Sequence, residues 1–203
     1  VSTVVTAAPW DSFLALVEFE GLIRSAVVST AFVAIWGFGS ALFLAIVVSI
    51  LFILNSTVRE TLMPIVVSVN SIPRVALAPL IIFYVGGENT AKYIIAAWVA
   101  FFPMFLNILE GLDATDEEEL DLLRVVGATK WQTFKKIRVP NALPSVFDGM
   151  KIGVSLAMVG AVVGEYVKGN TGVGALVIVT MGQLQMDVVY AVIGLVSLAT
   201  MVV

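Results

Sequence analysis

Four apolar tracts, at about 26–54, 61–85, 92–112 and 143–167, reach or exceed the length that a bilayer demands of a helix, and a fifth runs from about 186 to 203. A hydrocarbon core about 30 Å thick takes about 20 predominantly apolar residues in helical form. Chain buried in lipid must satisfy its backbone N–H and C=O groups internally, which leaves helices or a closed barrel. These tracts are continuously apolar and lack the alternation of barrel strands, so they predict helices. The expected fold is all-α: one polytopic transmembrane helical bundle over residues 1–203 with five spans visible. Composition agrees, because 60% hydrophobic and 13% charged residues contrast with the roughly one-quarter charged residues of soluble domains.

Charge is concentrated in one connection. Five of the eleven Lys and Arg residues (Arg124, Lys130, Lys135, Lys136 and Arg138) lie in the loop at about 113–140, together with the acidic run Asp116 to Asp121. Arg59 follows the first tract, whereas Lys92 and Lys168 stand nearly alone on the other side. The excess of basic residues places the 113–140 loop and residues 55–60 in the cytoplasm. Alternation then puts residues 1–23, the Gly86 to Thr90 turn and the 168–186 connection outside. An external N-terminal segment leads to the expectation of one further span before Val1, six in the full protein.

The sequence has no cysteine and no histidine. That removes disulfides, thiolate metal ligands and the commonest neutral-pH base, so no metal site is expected. The net charge of −4 and the balance of acids against bases within one loop make nucleic acid an unexpected partner.

The charged loop reads as two short helices joined by a glycine. Acids crowd the first turn after Asp116, where the helix dipole favours them, and Leu120, Leu123 and Val126 share a face. Gly127 stops this helix. Ala128-Thr129 starts a second, expected to end at Pro140 and Pro144. The pair makes a lever across the cytoplasmic face.

Asp121-Leu-Leu, three residues, Gly127, nine residues, Ile137-x-Val139-Pro140 resembles the signature E-A-A, three residues, G, nine residues, I-x-L-P of bacterial ABC importer permeases. Ser71-Ile-Pro73-Arg74-Val-Ala-Leu-Ala-Pro79-Leu, Ala100-Phe-Phe-Pro103 and Val163-Gly-Glu165-Tyr are similar to the permeases of the nitrate, sulfonate and taurine importer group, which includes importers of thiamin-precursor pyrimidines. The resemblance covers residues 24–203. Asp121 stands for the glutamate, Leu122 and Leu123 for the two alanines, and Val139 for the leucine.

The resemblance implies a multi-pass subunit of the bacterial cytoplasmic (inner) membrane. It also implies a dimer of permeases, two ABC ATPase subunits on the coupling helices, and an extracytoplasmic substrate-binding protein. ATP and magnesium would bind the ATPases, with no cofactor on this chain. Asp121, Leu123, Gly127, Ala128, Trp131, Ile137 and Pro140 are then the coupling residues. Closure of the ATPases would move the lever as a rigid body and rock the two halves of the pathway.

For the substrate path the candidates are Arg74, Pro73, Pro79, Trp98, Phe102 and Glu165. Arg74 lies about twelve residues into the second tract, near mid-bilayer, where a charge faces a cavity or a partner. It reads as an anion site or as a structural pair with Glu165. Pro73 and Pro79 free backbone groups to line a path. Trp98 and Phe102, with Phe83, Tyr84 and Phe101, read as a stacking surface for a flat heterocycle or as packing against lipid and helices. Glu165 reads as a helix-to-helix hydrogen bond or as a substrate contact. Gly149, Gly153, Gly160 and Gly164 read as close helix contacts.

Two other classes compete with an importer subunit whose substrate is a small anion or heterocycle. An ion-coupled secondary transporter or channel calls for inverted repeats or several intramembrane charges forming a relay; only Arg74 and Glu165 qualify as such charges, and no repeat is apparent. An intramembrane enzyme calls for a nucleophile with a base or metal, which these residues do not supply.

Overall fold

The computed structural model describes residues 9–201, and among these the chain is helical with no strand. In chain order come α1 (Pro9–Glu18), α2 (Glu20–Leu54), α3 (Ser56–Asn70), α4 (Ala78–Val85), α5 (Glu88–Asp113), α6 (Glu117–Val125), α7 (Lys130–Thr133), α8 (Val139–Lys168), α9 (Val173–Gly182) and α10 (Met186–Met201). Residues 1–8 of the expected external segment and 202–203 of the last tract lie outside the described residues.

Among the described residues three helices are long and apolar enough to cross a bilayer: α2, α5 and the continuous run from Lys130 to Lys168 that contains α8. At 35 residues, α2 measures about 52 Å and extends past the hydrocarbon at one or both ends. It is apolar all round. Phe32, Ile35, Trp36, Phe43 and Leu44 point away from the bundle, as hydrocarbon-facing side chains do. α10, a predominantly apolar helix of 16 residues, carries the fifth tract and is shorter than the helices that meet the length of a span.

The second tract is not one straight helix. α3 ends at Asn70, and after a break at Ser71–Pro73 the chain resumes through a 3-10 turn (Arg74–Leu77) into α4, bent by 85°. The cause is Pro73, which has no N–H to continue the ladder and whose ring forces Ile72 out of helical geometry. The hydroxyls of Ser68 and Ser71 turn back onto the carbonyls of Pro64 and Val67, at 2.8 and 3.2 Å, adding hydrogen bonds along the last turns before the break. Counted as one bent span, this pair makes a fourth crossing.

Pro140 and Pro144 do not end the coupling helix, contrary to the expectation from sequence. A π-turn at Phe134–Arg138 joins α7 to α8, with the N–H of Val139 reaching the carbonyl of Phe134. Pro140 falls in the first turn of α8, where its missing N–H does little harm. The wider turn re-registers the ladder and lets the cytoplasmic lever run without a break into a span.

α5 is the central helix and packs chiefly on α8 and α2. Gly149, Gly153, Gly160 and Gly164 of α8 all face it. A Cβ on Gly160 would stand 2.7 Å from the Cα of Ala96, one on Gly153 would meet the Met104 side chain, and one on Gly164 would lie 3.3 Å from the Cα of Lys92. In lipid, where apolar burial no longer drives association, such small residues hold helices by allowing backbones to touch. At the cytoplasmic end larger side chains take over, with Phe52, Phe105, Ile108, Leu109, Leu112, Phe134 and Ala142 forming a buried cluster. Gly160→Leu should therefore destabilise the bundle by about 1–3 kcal/mol, because it drives into backbone. Gly153→Ala, which meets the movable end of a methionine, should cost less. Thermal unfolding of the two variants in detergent checks the order.

Candidate functional site

The cytoplasmic lever is built by two capping motifs. α6 closes in a Schellman arrangement: the N–H of Ala128 reaches the carbonyl of Leu123 at 2.9 Å, and the N–H of Gly127 that of Arg124 at 3.1 Å. Gly127 sits at φ +74°, the left-handed conformation for which glycine is suited. The next helix opens with a capping box, in which Thr129 Oγ1 accepts from Gln132 N–H at 3.2 Å and Gln132 Oε1 accepts from Thr129 N–H at 2.8 Å. The Thr-x-x-Gln spacing carries that signal in the sequence.

Leu123 and Ala128 are half-buried inside the turn, and Ile137 is half-buried against the bundle. Asp121 is exposed and pairs with Arg124 at 2.7 Å, a surface contact that contributes little. Pro140 is exposed. The side chains that protrude most are Leu122, Val125, Val126 and Trp131, at 67, 84, 77 and 58% exposure. Apart from Trp131, these were not among the coupling residues picked from sequence. Their protrusion follows from the angle between α6 and α7, which no spacing records.

Phe134 and Asp113 fix the lever to the membrane domain. Phe134 is buried in the cytoplasmic core cluster and stacks with Trp131, ring centroids 5.5 Å apart. The carboxylate of Asp113, at the end of α5, takes an ion pair from Arg59 of α3 and another from Arg138 at 3.4 Å. Arg138 also donates to the carbonyl of Leu112 at 2.9 Å. One acid thus joins three segments.

The substrate-path candidates separate into two places. Arg74, at the bend, donates to the carbonyl of Val99 at 3.2 Å and to Asn70 Oδ1, and its guanidinium lies 5.5 Å from the centre of the Phe102 ring. Trp98 meets the same ring edge-on at 5.2 Å, and its buried Nε1–H has no partner. Among the described residues no carboxylate pairs with Arg74. Pro73 and Pro79 lie on the exposed side of this break.

Glu165 stands elsewhere and does not pair with Arg74. Its carboxylate is buried, accepts from Thr30 Oγ1 of α2 at 2.8 and 2.9 Å, and accepts the N–H of Gly174 at 2.9 Å. Thr30 Oγ1 in turn accepts the N–H of Val173 at 2.8 Å. The carboxylate therefore caps the N-terminus of α9, where the helix dipole favours negative charge, and the room for it exists because Gly172, at φ +102°, has no side chain. Lys92, expected in an outer connection, is buried. It provides the opposite charge beside Glu165 and reaches Thr171 Oγ1 at 3.5 Å. The sequence carries no signal for the roles of Lys92 and Thr30, because nothing local marks a buried polar cluster formed across several helices.

No group of three acidic, histidine or cysteine side chains among the described residues is placed to hold a metal. Removing the buried acid by Glu165→Ala leaves the Thr30 hydroxyl and the Gly174 N–H without their acceptor and should cost about 1–3 kcal/mol, read as a fall in unfolding temperature with faster proteolysis at 169–174. Glu165→Gln, which keeps hydrogen-bonding atoms, should cost less.

Residues 37–203 match the family described as the binding-protein-dependent transport system inner membrane component. The chain is 34% identical over 143 residues to the riboflavin transport system permease protein RibX of Chloroflexus aurantiacus, covering 70% of this chain and 53% of that protein. It is 36% identical over 138 residues to the formylaminopyrimidine transport permease protein ThiX of Halalkalibacterium halodurans, with 68 and 55% covered. Similarity to the taurine transport system permease protein TauC of Escherichia coli is 27% over 159 residues, covering 78 and 58%. The chain spans about half the length of these curated relatives.

Proposed function

The chain belongs to the family of binding-protein-dependent transport inner membrane components, and from that membership we propose that it is the pathway-forming subunit of an ATP-driven importer. Two copies, or this subunit and a similar one, form the pathway. Two ATPases hold ATP and magnesium and dock on the cytoplasmic lever, and an extracytoplasmic binding protein delivers substrate. The observation that carries this reading is the apolar ridge of Leu122, Val125, Val126 and Trp131 on an otherwise charged loop. Apolar side chains exposed together on the aqueous side mark an interaction surface.

Asp121 and Arg124 border this ridge and set the charge of its edge. Gly127 and Ala128 hold its angle, and Ile137 and Phe134 root it in the bundle. Because the π-turn carries the lever into α8 and Asp113 ties it to α3 and α5, movement imposed by the ATPases passes into three segments together. That is the rigid-body transfer an alternating pathway uses.

The substrate is met at the bend of the second span, by Arg74, Trp98 and Phe102. An intramembrane guanidinium with no acid beside it supports a small anion, such as a sulfonate or nitrate. The unpartnered Trp98 N–H beside Phe102 supports an acceptor-bearing heterocycle. The names of the relatives include both kinds of cargo. Pro73 and Pro79 shape the bend. Glu165 serves as the outer clasp and takes no substrate.

For coupling, Val125→Asp together with Trp131→Ala, made in the full-length protein with its ATPases in proteoliposomes, should lower substrate-stimulated ATP hydrolysis at least about tenfold, as loss of interface hot spots does. Membrane insertion should stay normal, since both side chains are exposed. Unchanged stimulation would overturn the docking role. For substrate, Arg74→Ala should raise the concentration for half-maximal transport without loss of assembly, whereas Trp98→Phe should do so for a heterocycle but not for an anion. Equal losses of transport and assembly in Arg74→Ala would reassign that residue to holding the bend.

A further inference from the structure

A cavity of about 210 Å³ lies between the cytoplasmic lever and the junction of α2 with α3. It has room for a tetrahedral oxyanion, being several times the roughly 30 Å³ that one water occupies. Three cationic side chains from three segments line it, Arg124 near the end of α6, Lys130 at the start of α7 and Arg138 at the end of the π-turn, together with the hydroxyl-bearing Ser56 and Thr133. Among the residues whose side chains are described, none in the lining is acidic. The opposite wall is apolar, from Ile53, Leu54, Leu120 and Phe134.

The three cations are not equivalent. Arg138 is 19% exposed and fixed by the Leu112 carbonyl at 2.9 Å and by Asp113 at 3.4 Å, so it forms a rigid floor. Arg124 is exposed and held on one side by Asp121. The ammonium of Lys130 makes no hydrogen bond or ion pair among the described residues. Asp113 and Asp121 each offset part of the charge of Arg138 and Arg124 from outside the lining, and an anion in the cavity would face all three cations at short range. The end of α2 and the start of α3 border it, so the cavity opens where a span gives way to the charged loop. Basic pockets between spans on the cytoplasmic side suit anionic headgroups, and the apolar wall suits the start of an acyl chain.

We propose that this cavity is a binding site for a phosphoryl anion, the headgroup of an anionic phospholipid or a soluble phosphate. Arg138 and Lys130 contact its oxygens from opposite sides, Arg124 closes over it, and Ser56 and Thr133 donate hydroxyl hydrogens. Occupancy ties α6, α7 and the π-turn to the α2–α3 junction and so fixes the stance of the lever. The site does not depend on an ATPase partner, and binding alone tests it.

The full-length protein is delipidated in detergent, offered phosphatidylglycerol or phosphatidylcholine, and its retained lipid is read by native mass spectrometry. In parallel, protein in phosphatidylcholine nanodiscs is titrated with inorganic phosphate and followed by phosphorus NMR line broadening. Lys130→Ala and Arg124→Ala should each weaken retention about fivefold, the effect of one surface charge on an anionic headgroup, with Lys130→Arg restoring it. Lys135→Ala, whose side chain is not in the lining, should leave it unchanged. All these side chains are exposed, so unfolding temperature should not move. Preference for phosphatidylglycerol assigns the site to lipid, and phosphate broadening without lipid preference assigns it to soluble phosphate. Absence of both, or an equal loss in Lys135→Ala that marks diffuse attraction, overturns the site.

Discussion

Backbone contact between α5 and α8 is the constraint on which the rest of the structure depends. Helices in lipid gain nothing from hiding apolar surface from one another, so they stay together only where their atoms touch closely. Gly149, Gly153, Gly160 and Gly164 give α8 a face without side chains, and Met104, Ala96 and Lys92 of α5 occupy the space this leaves. The lever connects the cytoplasmic ends of these same two helices. Its position is therefore a consequence of how they approach.

At each end of that contact the bundle is closed by buried or half-buried charge. On the outer side Glu165 and Lys92, one from each helix, capture Thr30 and the start of α9. On the cytoplasmic side Asp113, at the end of α5, receives Arg138 from the approach to α8 and Arg59 from α3. Such groups contribute orientation more than raw stability, because desolvation offsets most of their attraction. What they supply is a fixed geometry at the two places where spans give way to loops.

The bend of the second span brings a further consequence. Breaking a helix in lipid exposes backbone groups, which are tolerated where protein or a water-lined space receives them. Here the break carries Arg74, whose guanidinium rests on Phe102 and the Val99 carbonyl of α5. The helix that meets the lever's partner charges at its ends thus also carries the aromatic surface of the proposed substrate path. A small shift of α5 relative to α3 would be felt at both.

Sequence alone determined the position of the apolar tracts, the helical class, the glycine turn at Gly127 and the family resemblance, because each rests on local pattern: run length or fixed spacing. It also marked the four glycines of α8 as helix contacts. Tertiary structure decided what depends on residues far apart in the chain. Pro73 announced a break, and the structure supplied its angle, 85°. Pro140 reads as a stop, and a π-turn rooted by Phe134 in the core carries the helix through it. Glu165 and Arg74, the two charges that seemed available to each other, find different partners, since helix packing places Thr30 and Lys92 beside one and Phe102 beside the other. The hydrophobic pattern of a membrane helix reports that it faces something apolar, and lipid and protein satisfy that demand equally, so only packing distinguishes them.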